Sequence, residues 1–581
     1  NLDFTFLGTV TGSPTGGNAG NITVETNTLV GNNGGQIVSL AADFLGFGTV
    51  RGNTGNVNVT ATDSISVTGI GPDDFTISGF GSSVLFGAMG DGGSVTLQTG
   101  SLTISEGAQV RTSTQGEGNA GRIEINASDS ITIDGAVLSA LGPNPSGILS
   151  EVLPGAMGQG NEIVISTGNL SVSNGGFISA STNADGAAGN VTITATNAAS
   201  FAGAPGEPFD PSGAFVGTLE DAAGDGGILT ITTPSLSVTD GAQLEAETRG
   251  VGNAGNINLN VSDTVLVDGT DSAIQANTTE DSMGMGGDVI IDPRPRLAIV
   301  QNGGRIAVDS QGTGTGGNIE ITATELRLDQ GEITAGADST DGGDITLDLG
   351  PLLVLRNGSN ISATAGRDQG FGNGGNVAIT TADGFVVAVD TENSDITANA
   401  FLGNGGNVTV NTQGLFGIEF RPALTPLSDI TASSEFGLQG SVTIETPDVD
   451  PSDDLVQLPT GLVDASRLVA QGCGAGASDI ATALGEFTVT GRGGLPPSPE
   501  QLNPQNDLAV WETLDDAPNT PTTATSQGSV SSTVNHQEPI QITEFQGWIV
   551  DDNGEIVLTA EARSVTPHSP WQSVSTCQTQ G

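Results

Sequence analysis

Gly90-Asp91-Gly92-Gly93-Ser94-Val95-Thr96-Leu97, continued by Ser101-Leu102-Thr103-Ile104 and by Gly107-Ala108-Gln109-Val110-Arg111-Thr112, is the stretch that decides the fold. It holds three short runs of alternating apolar and polar residues. A glycine-rich corner opens it, and Gly100 and Gly107 punctuate it. The apolar runs begin at Val95, Leu102 and Val110, 7 and 8 residues apart. Period-two alternation marks strands, and glycine marks the corners between them.

The opening corner recurs along the chain. It returns as Gly20-Asn21-Ile22, Gly55-Asn56-Val57, Gly121-Arg122-Ile123, Gly189-Asn190-Val191, Gly227-Ile228-Leu229 and Gly255-Asn256-Ile257. It continues as Gly287-Asp288-Val289, Gly317-Asn318-Ile319, Gly343-Asp344-Ile345, Gly375-Asn376-Val377, Gly406-Asn407-Val408 and Gly440-Ser441-Val442. Gly160-Asn161-Glu162-Ile163 reads as the same corner with one residue inserted. Spacings of about 26 to 40 residues belong to solenoids, propellers and arrays. Each corner leads into an aliphatic pair two residues apart: Ile123 and Ile125, Ile257 and Leu259, Ile319 and Ile321, Val408 and Val410. One such unit cannot close a core, but stacked units bury each pair against the next. No helical periodicity is sustained over the roughly 10 residues that a helical solenoid needs, aromatics are only 4%, and there is no leucine-rich frame. Three strands per turn joined by tight corners describe a parallel β-helix rising about 4.8 Å per coil, with the eight aliphatics named above pointing inward.

Asn beside Gly suits a tight corner, because both accept left-handed backbone angles. Stacked Asn21, Asn56, Asn190, Asn256, Asn318, Asn376 and Asn407 could also form a side-chain amide ladder; acting as turn formers alone is the other reading. The formal net charge is −52, all 14 basic residues are Arg, and Tyr is absent. Such a chain repels nucleic acid and anionic membrane surfaces. No cofactor or metal is expected. The acidic corners Asp341-Gly342-Gly343-Asp344 and Asp221 to Asp225 lack a calcium-binding frame and leave open only surface calcium.

In chain order, residues 1–450 are the repeats. Proline-containing insertions interrupt them at Leu141 to Gly160 and Phe201 to Glu220. The first follows what reads as a third strand run and the second a second run, so they are expected to leave at different corners. Residues 451–515 form a cap and extended arm, with a short helix expected over Val463 to Ala470. Residues 516–535 read as a flexible linker. In 536–581, Asp551-Asp552-Asn553-Gly554 lies between two alternating runs, a hairpin signal. Trp511, Trp548 and Trp571 all lie in this C-terminal part. So do the two cysteines, Cys473 and Cys577; in an oxidising compartment they would pair, closing a loop worth up to roughly 4 to 5 kcal/mol, two free thiols being the alternative. No apolar run reaches the roughly 18 residues of a membrane span. The opening Asn1-Leu2-Asp3-Phe4 reads as part of a longer or processed chain.

At the C-terminal end the residues carry a resemblance. The corners Gly17-Asn18-Ala19-Gly20-Asn21-Ile22 and Asp240-Gly241-Ala242-Gln243-Leu244 resemble those of filamentous haemagglutinin-like exoproteins of two-partner secretion, the cyanobacterial ones above all. Ala388 to Ala400, Gly417 to Ser433, Thr490-Gly491-Arg492-Gly493-Gly494-Leu495-Pro496-Pro497 and the Gly547-Trp548 hairpin resemble that family's last coils and tail. The resemblance implies a right-handed β-helix, export through an outer-membrane partner transporter, and residence outside the cell or at its surface. An adhesive or structural role follows, with a surface or matrix polysaccharide or protein as partner. The family's secretion domain is not in this chain.

Two other readings compete. Parallel β-helices also carry polysaccharide lyases and hydrolases, which need clustered carboxylates, with a basic residue nearby in a lyase. Here His536 and His568 lie outside the repeats, and the acidic residues read as scattered over different corners, so no catalytic residue is expected and the chain is read as non-enzymatic. A filament or sheath subunit is the other, through self-assembly of coil ends.

Overall fold

The computed structural model describes residues 2–12, 16–42, 50–140, 142–219, 222–280, 282–367 and 369–446, and the strands 547–550 and 556–559. The chain divides into two units, Asn1–Leu458 and Pro459–Gly581. The described elements are all β, apart from one 3-10 turn at Asp390–Glu392. In the second unit, Gly547–Val550 pairs antiparallel with Ile556–Thr559, as the alternation on either side of Asn553-Gly554 predicts. The cap helix, the linker, Cys473 and Cys577 lie outside the described residues.

The first unit is a parallel β-helix. One column of its sheet runs Ile22, Val57, Val95, Ile123, Ile163, Val191, Leu229, Ile257, Val289, Ile319, Ile345, Val377, Val408, Val442, each residue in register with the next. All eight aliphatics expected inside are at most 1% exposed. Each contributes about 1.5–3 kcal/mol by leaving water, and each packs on its counterparts in neighbouring coils.

The first two strands of a coil are one. Ile123–Asp134 and Val191–Ala202 run through the bend without a break. The bend appears only as a register shift, for example between Thr99 and Ser101. Threonines at the bend donate to the carbonyl two residues on, as Thr99 does to Ser101 at 3.2 Å and Thr233 to Ser235 at 3.2 Å. Gly100 is therefore no strand end. A Cβ there would lie 2.5 Å from the Asp63 carbonyl oxygen.

The third strand is short, as in Gln109–Arg111 and Gln243–Glu245. Its central residue points inward: Phe80, Val110, Ile148, Ile178, Ala214, Leu244, Ile274. A further column, unseen in the alternation, follows it. Thr182, Thr218, Thr248, Thr278 and Ser310 bridge coil to coil and are nearly or fully buried. Thr218 and Thr248 hydroxyls meet at 2.5 Å, and Thr248 donates to Gly252 carbonyl at 2.8 Å.

The corner glycines serve a purpose other than the left-handed one expected. The glycines two residues before the aliphatic pairs, Gly55 to Gly440, and the asparagines that follow them have no positive φ, whereas Gly17, Gly52, Gly90 and Gly118, three residues upstream in their corners, do. From Gly55 to Gly440, a Cβ on the corner glycine would come within 1.7–2.4 Å of the carbonyl oxygen of the residue stacked before it. Close approach excludes a side chain. Gly160-Asn161 is not an insertion either. Ile163 stays in register with Ile123, so Asn161 takes the glycine's place, its amide donating to the Ala120 carbonyl at 3.1 Å. Left-handed residues occupy the turn before the third strand instead, in pairs such as Asn174-Gly175 (φ 53 and 84) and Asp240-Gly241 (φ 55 and 84).

Candidate functional site

The asparagine column at the glycine corner is the first predicted site. Its members do stack, but the bonds differ from an amide ladder. Each side-chain Oδ1 accepts the backbone N–H of the next coil: Asn21 from Asn56 at 2.9 Å, Asn56 from Ser94 at 2.9 Å, Asn190 from Ile228 at 2.8 Å, Asn256 from Asp288 at 2.9 Å, Asn318 from Asp344 at 3.0 Å. Only Asn376 accepts from a side-chain amide, that of Asn407 at 2.8 Å, and Asn407 accepts the Ser441 hydroxyl at 2.6 Å. An acceptor oxygen is all the position requires, so Asp288 and Asp344 serve in it too. A second ladder runs three residues upstream through Asn18, Asn53, Asp91 and Asn119, each accepting the next backbone N–H at 3.0 Å. The doubled Gly-Asn of these corners was its signal. Asp341 and Asp225 belong to this second ladder and accept from Asn373 and Asn253 at 2.7 and 2.9 Å. Both ladders are structural. Among the described residues, no group of three or more His, Cys, Asp or Glu is placed to hold a metal.

The recessed surface lies on the third-strand face. Three insertions flank it, and all leave at one corner. Each is closed by the same neck, a serine N–H donating to a glycine carbonyl: Ser78 to Gly69 at 3.1 Å, Ser146 to Gly135 at 2.9 Å, Ser212 to Gly203 at 2.9 Å. Each serine is fully buried, and its hydroxyl accepts the N–H of Gly34, Gly107 or Gly175 in the coil before, at 2.9 Å. The expectation of different corners fails because Ala136–Ser139, read as a third strand, is half of a local hairpin with Gly142–Pro145. The true third strand is Gly147–Leu149. Periodicity identifies a strand but not its partner.

Two recesses open on this face, each where a coil has glycine at outward positions. Gly79 and Gly81 sit in register between Gln36 and Val38 on one side and Gln109 and Arg111 on the other. The missing side chains leave a recess of about 260 Å³. Phe75 stands at its rim, 56% exposed, on a turn held by Asp73, whose carboxylate accepts the N–H of Phe75 and Thr76 at 3.2 and 3.0 Å. The second recess, about 170 Å³, lies over Gly217, with Phe177, Phe215, Asp210 and Glu151 in its wall. Phe177 and Phe215 meet edge to face with centroids 5.6 Å apart. Leu153 lines the first recess and Glu151, two residues before it, the second, so the two recesses neighbour one another along this face, and we refer to them together as the groove. From the Gln36 coil to the Gln243 coil are six strand steps, about 29 Å.

The second recess gathers carboxylates that look scattered in the sequence. Glu245 and Glu247 are 8% and 9% exposed. Arg249 pairs with both, at 3.4 and 2.9 Å. Burial first, then the neighbouring Glu247, pushes the Glu245 carboxyl up to about 7. Burial also raises Glu151, and the charge of Asp210 acts in the same direction on both. These residues are up to about a hundred positions apart, and only coil register brings them to one face. The chemistry on offer is a set of hydrogen-bonding carboxyls, one of them titrating near neutrality, beside a guanidinium and two rings.

Comparison with protein-family models, with curated proteins and with solved structures returns no match for this chain.

Proposed function

We propose that this chain is a non-catalytic, adhesive or structural exoprotein that works outside the cell, its β-helix holding the groove as a recognition face for a surface or matrix partner. The observation that carries the reading is the placement of three insertions at one corner, beside two neighbouring recesses. Loops that share one side of a solenoid are where such folds recognise partners. The net charge of −52 favours solubility and argues against nucleic acid as partner. Export through an outer-membrane partner transporter rests on the resemblance of the tail segments and coils.

A second reading, a polysaccharide hydrolase or lyase, is favoured by one specific observation: Glu245, with its carboxyl near 7, beside Glu247 and Arg249. A group titrating there can donate a proton at neutral pH. The experiment incubates the purified chain with acidic and neutral polysaccharides while measuring its retention on the cells it comes from. Retention without new reducing ends or unsaturated products is expected. Turnover that disappears in Glu245→Gln would replace the adhesive reading with the enzymatic one.

A further inference from the structure

We propose that the groove binds an uncharged glycan chain laid along the solenoid axis, with its anchoring contacts at Phe75, Gln109 and Arg111. This rests on reading the groove as the recognition face. Gln109 lines the first recess and is 7% exposed, and its Oε1, buried beneath that wall, has no hydrogen-bond partner among the described residues. A buried acceptor left without a donor costs about 1–3 kcal/mol, a cost that a ligand hydroxyl removes once the Gln109 amide turns towards the recess. Its Nε2 is already engaged with the Pro145 carbonyl at 3.2 Å, so what Gln109 lacks is a donor. Beside it, Arg111 donates through Nε to Ser113 at 3.1 Å, and among the described residues its guanidinium makes no ion pair. Arg111 therefore has further N–H groups to offer an acceptor. Phe75 presents an exposed ring at the same rim. A ligand that supplies donors and acceptors at one edge and an apolar face for a ring has the chemistry of a sugar. Each hydroxyl both donates and accepts, and the ring's C–H face packs on an aromatic.

Charge selects among sugars. An anionic chain following the groove would meet Glu151, Asp210, Glu245 and Glu247, against which Arg249 is the only cation in the second recess. An amine-bearing chain would meet Arg111 in the first. A chain spanning both recesses must be uncharged. The length of the groove, about 29 Å over six strand steps, suits a chain rather than a single sugar.

The test is calorimetric titration of the full chain with neutral hexasaccharides of β-1,4-glucose, β-1,4-xylose, β-1,4-mannose and α-1,4-glucose. Hexagalacturonate and a chitosan hexamer serve as charged probes. At least one neutral hexasaccharide is expected to bind, and Phe75→Ala, Gln109→Leu and Arg111→Gln are each expected to weaken it at least tenfold. Glu332→Gln, outside the groove, should leave it unchanged. Phe75 sits on an exposed loop, so Phe75→Ala keeps the test decisive should Gln109→Leu fail to fold. Binding of charged probes only, of none, or binding insensitive to Phe75→Ala overturns the proposal. In each of those cases, retention on cells would leave the adhesive reading standing. Cleavage of a bound neutral glycan would instead uphold the site and overturn the non-catalytic reading.

Discussion

The two tight corners of each coil behave in opposite ways. At the glycine corner, the backbone of one coil lies so close to the next that a Cβ on Gly317 would be 1.9 Å from the Gly287 carbonyl oxygen. In the coils that carry Asn or Asp there, side-chain acceptors such as Asn256 and Asn318 also tie the coil to the following backbone N–H. At the corner before the third strand, the backbone turns through left-handed residues. One serine hydroxyl locks it to the coil before, and a single N–H to carbonyl bond can close it over an insertion. The first corner carries the stack and the second carries the decoration. A solenoid gains a recognition surface where the chain can leave and return without breaking a ladder.

The sharpest way to break this contrast is Gly317→Val. The side chain has no space, so a loss of roughly 4 kcal/mol or more is expected, seen as insolubility or a collapsed urea midpoint. A midpoint near that of the native chain would mean the corner is not close-packed.

The next effect concerns the recess that the decorated corner shelters. Glu245 ordinarily titrates near 4.5 and is held up to about 7 in the fold. Between those values the folded chain keeps a proton that the unfolded chain has released. Stability therefore falls as pH rises through this window. Glu245→Gln, beside Glu247, Arg249 and Asp210, should remove that slope. The variant then gains about 2 kcal/mol on the native chain between pH 5 and pH 8, read from urea midpoints across pH. Parallel curves for the two proteins would place Glu245 in water.

Smaller still is Asn256→Ala, which removes one acceptor from the ladder. A loss of about 1 kcal/mol is expected, while Asn256→Asp should retain most of it, because Asp288 and Asp344 already fill that role. An Asp variant as weak as the Ala variant would show that the amide itself matters.

How far the sequence could be read follows from the same contrast. The stack was legible because it repeats: the aliphatic pairs return in coil after coil, the glycine corner in all but the Asn161 coil, and an asparagine in about half of them. Their reasons were less legible. Asn21 and Asn56 look like left-handed turn formers, and only coordinates reveal a side-chain oxygen meeting the next coil's N–H. The groove was not legible, because it is made by exceptions. Gly79, Gly81 and Gly217 resemble every other glycine until register shows them to be gaps in an outward column. Glu151 and Glu245 share a wall only through coil-by-coil stacking. Ala136-Val137-Leu138 alternates as a third strand should, yet pairs with its own hairpin partner.

The most direct measurement of the account removes the three insertions together, joining Gly69 to Ser78, Gly135 to Ser146 and Gly203 to Ser212 through short glycine links, and compares retention on the native cell surface with that of the unaltered chain. The account predicts a shortened chain that unfolds at nearly the same urea concentration but is lost from the surface. Undiminished retention without the loops would contradict it and place recognition elsewhere on the chain.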